Sequence, residues 1–281
     1  MMIEKAVVVG VFDGVHAGHR HLLHQLKDIA RSRGLKPIAV TFSRHPLELV
    51  SPECVPLQIC SADERERLLH AEGVEPLWLD FTPELRAMTA MQFLQFLRDR
   101  GISLLLMGFN NRIGSDRRCG AELARGPVEV LTAEELPDAD VSSSEVRNAV
   151  ERGDMGCAAR MLGRRFALIG EVVAGRRVGR TIGFPTANIS ICSGMLMPPN
   201  GVYEAAVDDR KAVVNIGCRP TLDNGNDTTV EVHLLDFDGN LYGQTLRVEF
   251  VRRLRREMKF GSLDELKAQI SRDIESVRNG K

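Results

Sequence analysis

The chain has 281 residues, 43% of them hydrophobic, and its 37 basic residues nearly balance 38 acidic ones. That length suits one large or two ordinary globular domains, and the near-neutral balance leaves no global positive field to argue for nucleic acid or an anionic membrane surface as a partner. Residues 1–10 show no charged-then-apolar leader and no apolar run approaches the ~18 residues of a membrane span, so the expectation is a cytoplasmic protein that engages no membrane.

The first half alternates between two patterns. Residues 6–10 form a short apolar run ending in glycine; a polar loop over 11–16 follows, then an amphipathic segment to Arg33 closed by Gly34, which reads as strand, loop, helix and C-cap. Residues 37–42, 77–81 and 104–107 read as buried strands. Capping boxes at Ser61/Glu64 and Thr89/Gln92 open helices to about Glu72 and Arg100. Strands alternating with helices predict a doubly wound, Rossmann-like α/β domain that binds its ligand at the carboxyl ends of the strands.

The end of the first strand carries the candidate chemistry. His16 and His19 flank Gly18 where a helix opens, so two imidazoles and the free amides of a first turn can meet phosphate oxygens. His21 and His24 extend the series, which leaves chance clustering and a metal site as the competing readings. Further on, Ser142 and Glu145 have capping-box spacing, and Arg147 lies one turn inside the helix they open, able to pair with pyrophosphate or simply exposed on a capped helix. The six cysteines contain no C-x-x-C pair, which suits reduced thiols better than a disulfide frame or a zinc site.

Residues 146–152 and 155–162 read as two more helices, and Gly163 closes the helical part, giving domains over 1–163 and 164–281. From Phe166 the pattern shifts to short alternating strands over 168–173, 202–207, 212–215, 229–235 and 246–251, with an Asp238-Gly239 turn, which predicts a small antiparallel β-barrel. Within it, 179–188 reads G-R-T-I-G-F-P-T-A-N. Glycines at 175, 179 and 183 let a phosphate approach the backbone. Thr186 and Asn188, two apart on an extended segment, offer the neutral hard oxygens that suit Mg²⁺. The competing reading is a glycine turn before Pro185 that Thr and Asn cap. Glu231 and His233 share one strand face, with Val230 and Val232 on the other, so Glu231 is either a base aimed into a pocket or a solvated carboxylate. A last helix, capped by Ser262/Glu265 and ending near Val277, should pack on the barrel through Leu263, Leu266, Ile270 and Ile274.

F-D-G-V-H-A-G-H over 12–19 resembles the adenylyltransferase module of bacterial bifunctional flavin kinase and FAD synthetase proteins. T-F-S-R-H-P over 41–46 and S-S-S-E-V-R over 142–147 match later blocks, with Ser144 where the family has threonine. The 179–188 string, followed by Gly201-Val202-Tyr203, Asn215-Ile216-Gly217, Arg219-Pro220-Thr221, Glu231 and Leu241-Tyr242-Gly243, resembles the riboflavin kinase module.

The resemblance implies two ATP-dependent reactions with riboflavin, FMN and ATP as partners. In the barrel, Glu231 would act as base on riboflavin, with Thr186 and Asn188 at Mg²⁺. In the α/β domain FMN would be joined to AMP, giving FAD and pyrophosphate, with His16, His19 and Arg147 as catalytic donors. The resemblance further implies ATP contacts at Gly10, Phe12, Asp13, Gly18, Asn110, Ser143, Ser144, Gly175, Gly179, Arg180, Gly183 and Pro185. The flavin contacts it implies are His45, Pro46, Arg255 and Phe260, Arg255 being equally readable as surface charge. In the slot where the family has G-x-D/N-F-x-F-G, Asn111 and Ile113 replace two aromatics. Those two departures keep open a kinase whose first domain only binds nucleotide; a separate alternative is a non-catalytic flavin carrier or sensor.

Overall fold

The computed structural model describes residues 4–123, 125–137, 141–175, 179, 182–220 and 226–280; Arg180 and Thr221 lie outside them. The chain divides into two compact units, Met1–Ser143 and Ser144–Lys281.

The first unit is a five-stranded sheet in the order β3-β2-β1-β4-β5, formed by β1 (Lys5–Val9), β2 (Lys36–Phe42), β3 (Glu75–Leu79), β4 (Ile102–Met107) and β5 (Glu129–Thr132). Every pairing is parallel. Strand β1 shows why: Ala6 and Val8 sit in one core cluster with Leu23, Leu26 and Leu69, whereas Val7 faces a second with Phe93, Leu94 and Leu97. Alternate residues are buried on opposite faces, so the strand reads as a continuous apolar run.

The helices on those faces are α1 (Ala17–Arg33), α2 (Leu47–Val50), α3 (Ala62–Ala71), α4 (Pro83–Ala87) and α5 (Ala90–Arg98). Gly34 closes α1 in the left-handed conformation, φ 65°, as its sequence position predicts. Thr89 and Gln92 form the full reciprocal cap of α5. Ser61 caps α3 through the Glu64 amide, but the Glu64 carboxylate pairs with Arg67 instead of completing a box.

In the second unit, α6 (Ser143–Arg152) and α7 (Met155–Leu162) precede a closed antiparallel barrel of order β10-β7-β6-β11-β8-β9. The strands are β6 (Ala167–Val173), β7 (Ala187–Ser190), β8 (Gly201–Val207), β9 (Arg210–Pro220), β10 (Asn226–Leu234) and β11 (Thr245–Arg255). The compact units part at 143/144, twenty residues before the boundary expected at Gly163. Between those two positions lie α6 and α7, and α7 packs on β11 of the barrel.

Inside the barrel Phe166, Tyr203 and Phe250 meet at ring separations of 5.4 to 6.0 Å. The C-terminal helix (Leu263–Asn279) covers one outer side through Ile270, Ile274 and Val277 against Val202, Val213 and Leu235. Leu263, expected on that packed face, is 52% exposed because it is the helix's first residue, next to the Ser262 cap, and Val277 packs at the other end.

Candidate functional sites, one in each unit

In the first unit the chain leaves β1 through a tight loop. Phe12, Gly14 and Val15 all have positive φ. Gly14 (φ 75°) could not carry a Cβ, which would fall 2.7 Å from Ile59. Asp13 is buried, and its carboxylate accepts hydrogen bonds from the Ile59 and Cys60 amides at 3.0 to 3.2 Å. It thus ties down the loop that delivers His16 and His19. His16 caps α1, its Nδ1 accepting from the His19 amide at 3.4 Å. The two imidazoles stack at 3.7 Å, and Phe12 meets His19 edge-on at 5.1 Å. A side chain at Gly18 would come within 3.2 Å of the His16 ring.

Burial, then His16, then the positive charge of Arg65 hold the His19 pKa well below its ordinary value, so near neutral pH the ring is uncharged. Its Nδ1 is buried without a hydrogen-bond partner among the described residues.

At the carboxyl ends of the same strands lies a cavity of about 860 Å³. Gly10 and Asn110 line it, as do Phe42, Phe81, Phe93 and Met88, which make its apolar wall. Asn111 and Ile113, the two departures from the aromatic pattern, line it too. Ile113 joins the core cluster on that face, while the Asn111 amide folds back against Gly108. His45 and Pro46 lead into α2, whose last residue, Val50, reaches the cavity. The Ser143 hydroxyl donates to the Asp13 carbonyl at 3.3 Å. Ser144 and Arg147 stand on α6 within the second unit.

In the second unit, strand register assembles what the sequence scatters. Glu231 on β10 lies directly opposite Asn188 on β7 and, on its other side, opposite Asn215 on β9. Directly opposed residues share a sheet face with Cβ atoms about 5 Å apart, so the three form an amide, carboxylate, amide row across three strands. Val230 and Val232 are buried on the other face. Two glycines press on the row's edge: a Cβ on Gly175 would lie 2.2 Å from Asn188 Nδ2, and one on Gly179 would lie 2.3 Å from the Phe184 carbonyl and 3.1 Å from Thr186 Oγ1. Gly183 has φ 93°, and the Pro185 carbonyl lies 2.7 Å from His233 Nδ1.

Glu231, Asn215, His233, Gly179 and Thr186 line a cavity of about 350 Å³, closed by the C-terminal helix through Leu266, Ile270 and Asp273. Arg255 and Phe260 line it as well, the guanidinium 5.8 Å from the ring centroid. Arg255 is not surface charge: its side chain is 17% exposed and pairs with buried Asp273 at 2.9 Å. Thr186 also borders a second cavity of about 190 Å³, with Pro185, Phe237, Leu241 and Tyr242. Sequence reasoning gave no role to Asn215, Glu257 or Asp273, all of which line the larger cavity. Their signal is register and helix docking, neither of which is local.

Among the described residues no helix is long and apolar enough to cross a membrane. The riboflavin kinase family profile matches residues 162–280, and the FAD synthetase profile residues 2–146. The bifunctional riboflavin kinase/FMN adenylyltransferase of Pseudomonas fluorescens is 35% identical, covering 96% of this chain and 91% of that protein. Its Escherichia coli K12 counterpart is 36% identical, covering 97% and 91%. A solved structure described as a macrolide-efflux protein from Streptococcus pneumoniae is 33% identical with a TM-score of 0.88, covering 99% of this chain and 95% of that one.

Proposed function

The chain belongs to the family of bifunctional riboflavin kinases/FMN adenylyltransferases, and we propose how its two sites divide the work. The barrel unit phosphorylates riboflavin with ATP to give FMN, and the α/β unit joins FMN to AMP from a second ATP, giving FAD and pyrophosphate. The observation that carries the first step is the Asn188, Glu231, Asn215 row across three strands, whose Glu231 and Asn215 line one cavity with Thr186.

Glu231 accepts the proton of the riboflavin 5′-hydroxyl as that oxygen attacks the γ-phosphorus, the bond from the γ-phosphorus to the β,γ-bridging oxygen breaks and ADP leaves. Thr186 and Asn188 suit Mg²⁺ by chemistry, since both offer uncharged hard oxygens where the absent side chains of Gly175 and Gly179 leave room. When bound, Mg²⁺ neutralises charge on the ATP phosphates. Phe260 and the aliphatic lining residues take the apolar face of the flavin, and Asp273 keeps Arg255 in the cavity wall.

In the first unit the FMN phosphate attacks the α-phosphorus of ATP in line, so positioning and charge stabilisation carry the reaction and no covalent nucleophile is required. An uncharged His19 retains one ring N–H that can donate a hydrogen bond to a phosphate oxygen. Ile113 keeps an apolar wall where the family has a ring, so the cavity supports adenylyl transfer as well as nucleotide binding.

The test is a product assay on riboflavin, ATP and Mg²⁺ that resolves FMN from FAD. Both should form from the unaltered chain. Glu231→Gln should lower FMN formation at least ~10²-fold while leaving FAD formation from supplied FMN intact. FMN formation at full rate by that variant would refute the assignment of the base, and failure to make FAD from FMN would leave only the kinase.

A further inference from the structure

One charged group in the first unit is used by neither step above. Arg65, on α3, is 5% exposed. Its Nη1 donates long hydrogen bonds to the Phe42 carbonyl at 3.3 Å and Thr41 Oγ1 at 3.5 Å, at the carboxyl end of β2. Its guanidinium lies 5.5 Å from the centroid of Trp78, and its Nε is buried without a hydrogen-bond partner among the described residues. No described ion pair includes it. The flanking carboxylates are engaged elsewhere, Glu64 with Arg67 and Glu66 with His70.

A guanidinium has five N–H donors and stays charged at any physiological pH, and a buried charge without a counter-ion is held only at considerable cost. Two long bonds and one ring face offset part of that cost. What would offset the rest is an anion at the ends of β1 and β2, where parallel sheets place their ligands. His19, whose Nδ1 is also buried and unpartnered, lies within the field of this charge. The Thr41 hydroxyl, fully buried and bonded to the Val11 carbonyl at 3.2 Å, fixes the floor between the two strands.

We propose that Arg65 is a substrate-binding residue that receives phosphoryl oxygens beside His19 in the α/β unit, either those of the FMN phosphomonoester or those of the ATP triphosphate. This rests on the adenylyl-transfer reading of that unit. The competing role is a structural clip in which Arg65 merely joins β2 to β3 through Trp78.

The full chain tests it, with FMN formation from riboflavin as the internal control and FAD formation from FMN and ATP as the readout. Arg65→Met should lower kcat/KM for FAD by about 10²-fold and leave FMN formation unchanged. Arg65→Lys should recover part of the loss, because it keeps a charge but not the planar fork. A rise in KM confined to FMN assigns the phosphomonoester, and one confined to ATP assigns the triphosphate. Trp78→Leu, which removes the ring and leaves the charge, should stay within about threefold of the unaltered chain in FAD formation.

Wild-type FAD kinetics in Arg65→Met, or a Trp78→Leu loss as large as that of Arg65→Met, overturns the assignment. If Arg65→Met does not fold, Arg65→Lys decides: a KM raised about fivefold or more for FMN or ATP, at unchanged melting temperature, supports the proposal, and unchanged KM for both overturns it. An unaltered chain that makes no FAD sinks the adenylyl-transfer reading itself. FAD made equally well by the unaltered chain and Arg65→Met sinks only this inference.

Discussion

Gly175→Ala should separate catalysis from folding in the barrel. The new Cβ would lie 2.2 Å from Asn188 Nδ2 and 2.6 Å from its Cγ, and restoring ordinary contact at 3.4 Å requires about 1.2 Å of movement. The nearest atoms are the end of a flexible side chain, and Gly175 is not among the residues with positive φ, so the backbone accepts alanine without strain. Asn188 therefore swings aside, at little cost in stability. The cost falls on its alignment opposite Glu231, where a displacement of about 1 Å can lower a rate by about 10²-fold. The assay is FMN formation from riboflavin and ATP across a Mg²⁺ titration, beside a thermal melt and FAD formation from supplied FMN. The expected result is a loss of about 10²-fold in FMN formation, eased by higher Mg²⁺, with melting and FAD formation unchanged. Full kinase activity in Gly175→Ala would refute the claim that the glycine is there to make room for Asn188 at a cation.

Two further outcomes follow from charge. Asp273→Asn leaves Arg255 mostly buried without its counter-ion, so it should cost about 3 kcal/mol and lower the melting temperature of the barrel by roughly 10 °C, read by scanning calorimetry. A change of less than about 2 °C would show that the pair contributes little. His19 has the opposite sign from a histidine that gains a carboxylate. Its folded pKa is depressed by burial, His16 and Arg65, so the unfolded chain binds the proton more tightly. Stability from this group is complete above the unfolded value of about 6.5 and falls as pH drops below it, by at most about 1.4 kcal/mol per pH unit until the folded pKa is reached. Melting of the unaltered chain and of His19→Gln between pH 7 and pH 5 should show the steeper acid loss in the unaltered chain, and identical slopes would contradict the depressed pKa.

What could be read from the sequence was what neighbouring residues determine. The apolar run before Gly10, the reciprocal cap of Thr89 and Gln92, and the valines flanking Glu231 each declare a strand, a helix start or a buried face within a few positions. The short elements were hidden. Strand β5 is only Glu129–Thr132, and α4 is one turn behind Pro83, so neither is long enough to show a period. The polar row was hidden for another reason: Asn188, Asn215 and Glu231 belong to three strands, and a shift of one residue in either pairing would turn a partner to the opposite face.

Arg65, buried, and Arg255, mostly buried, show where local reading stops and what structure adds. In sequence Arg65 and Arg255 look alike, each in a charged stretch where surface exposure is the default expectation. Folding treats them differently. Arg255 is matched by Asp273, eighteen residues away on the covering helix, so its charge is neutralised and its role is to hold a cavity wall in shape. Arg65 meets a carbonyl, a hydroxyl and an indole face, all uncharged, while the nearby carboxylates turn elsewhere, Glu64 to Arg67 and Glu66 to the His70 ring. A matched buried cation is complete without a ligand. An unmatched one at the carboxyl ends of parallel strands calls for an anion, and the substrates assigned to that unit are the anions available to supply it.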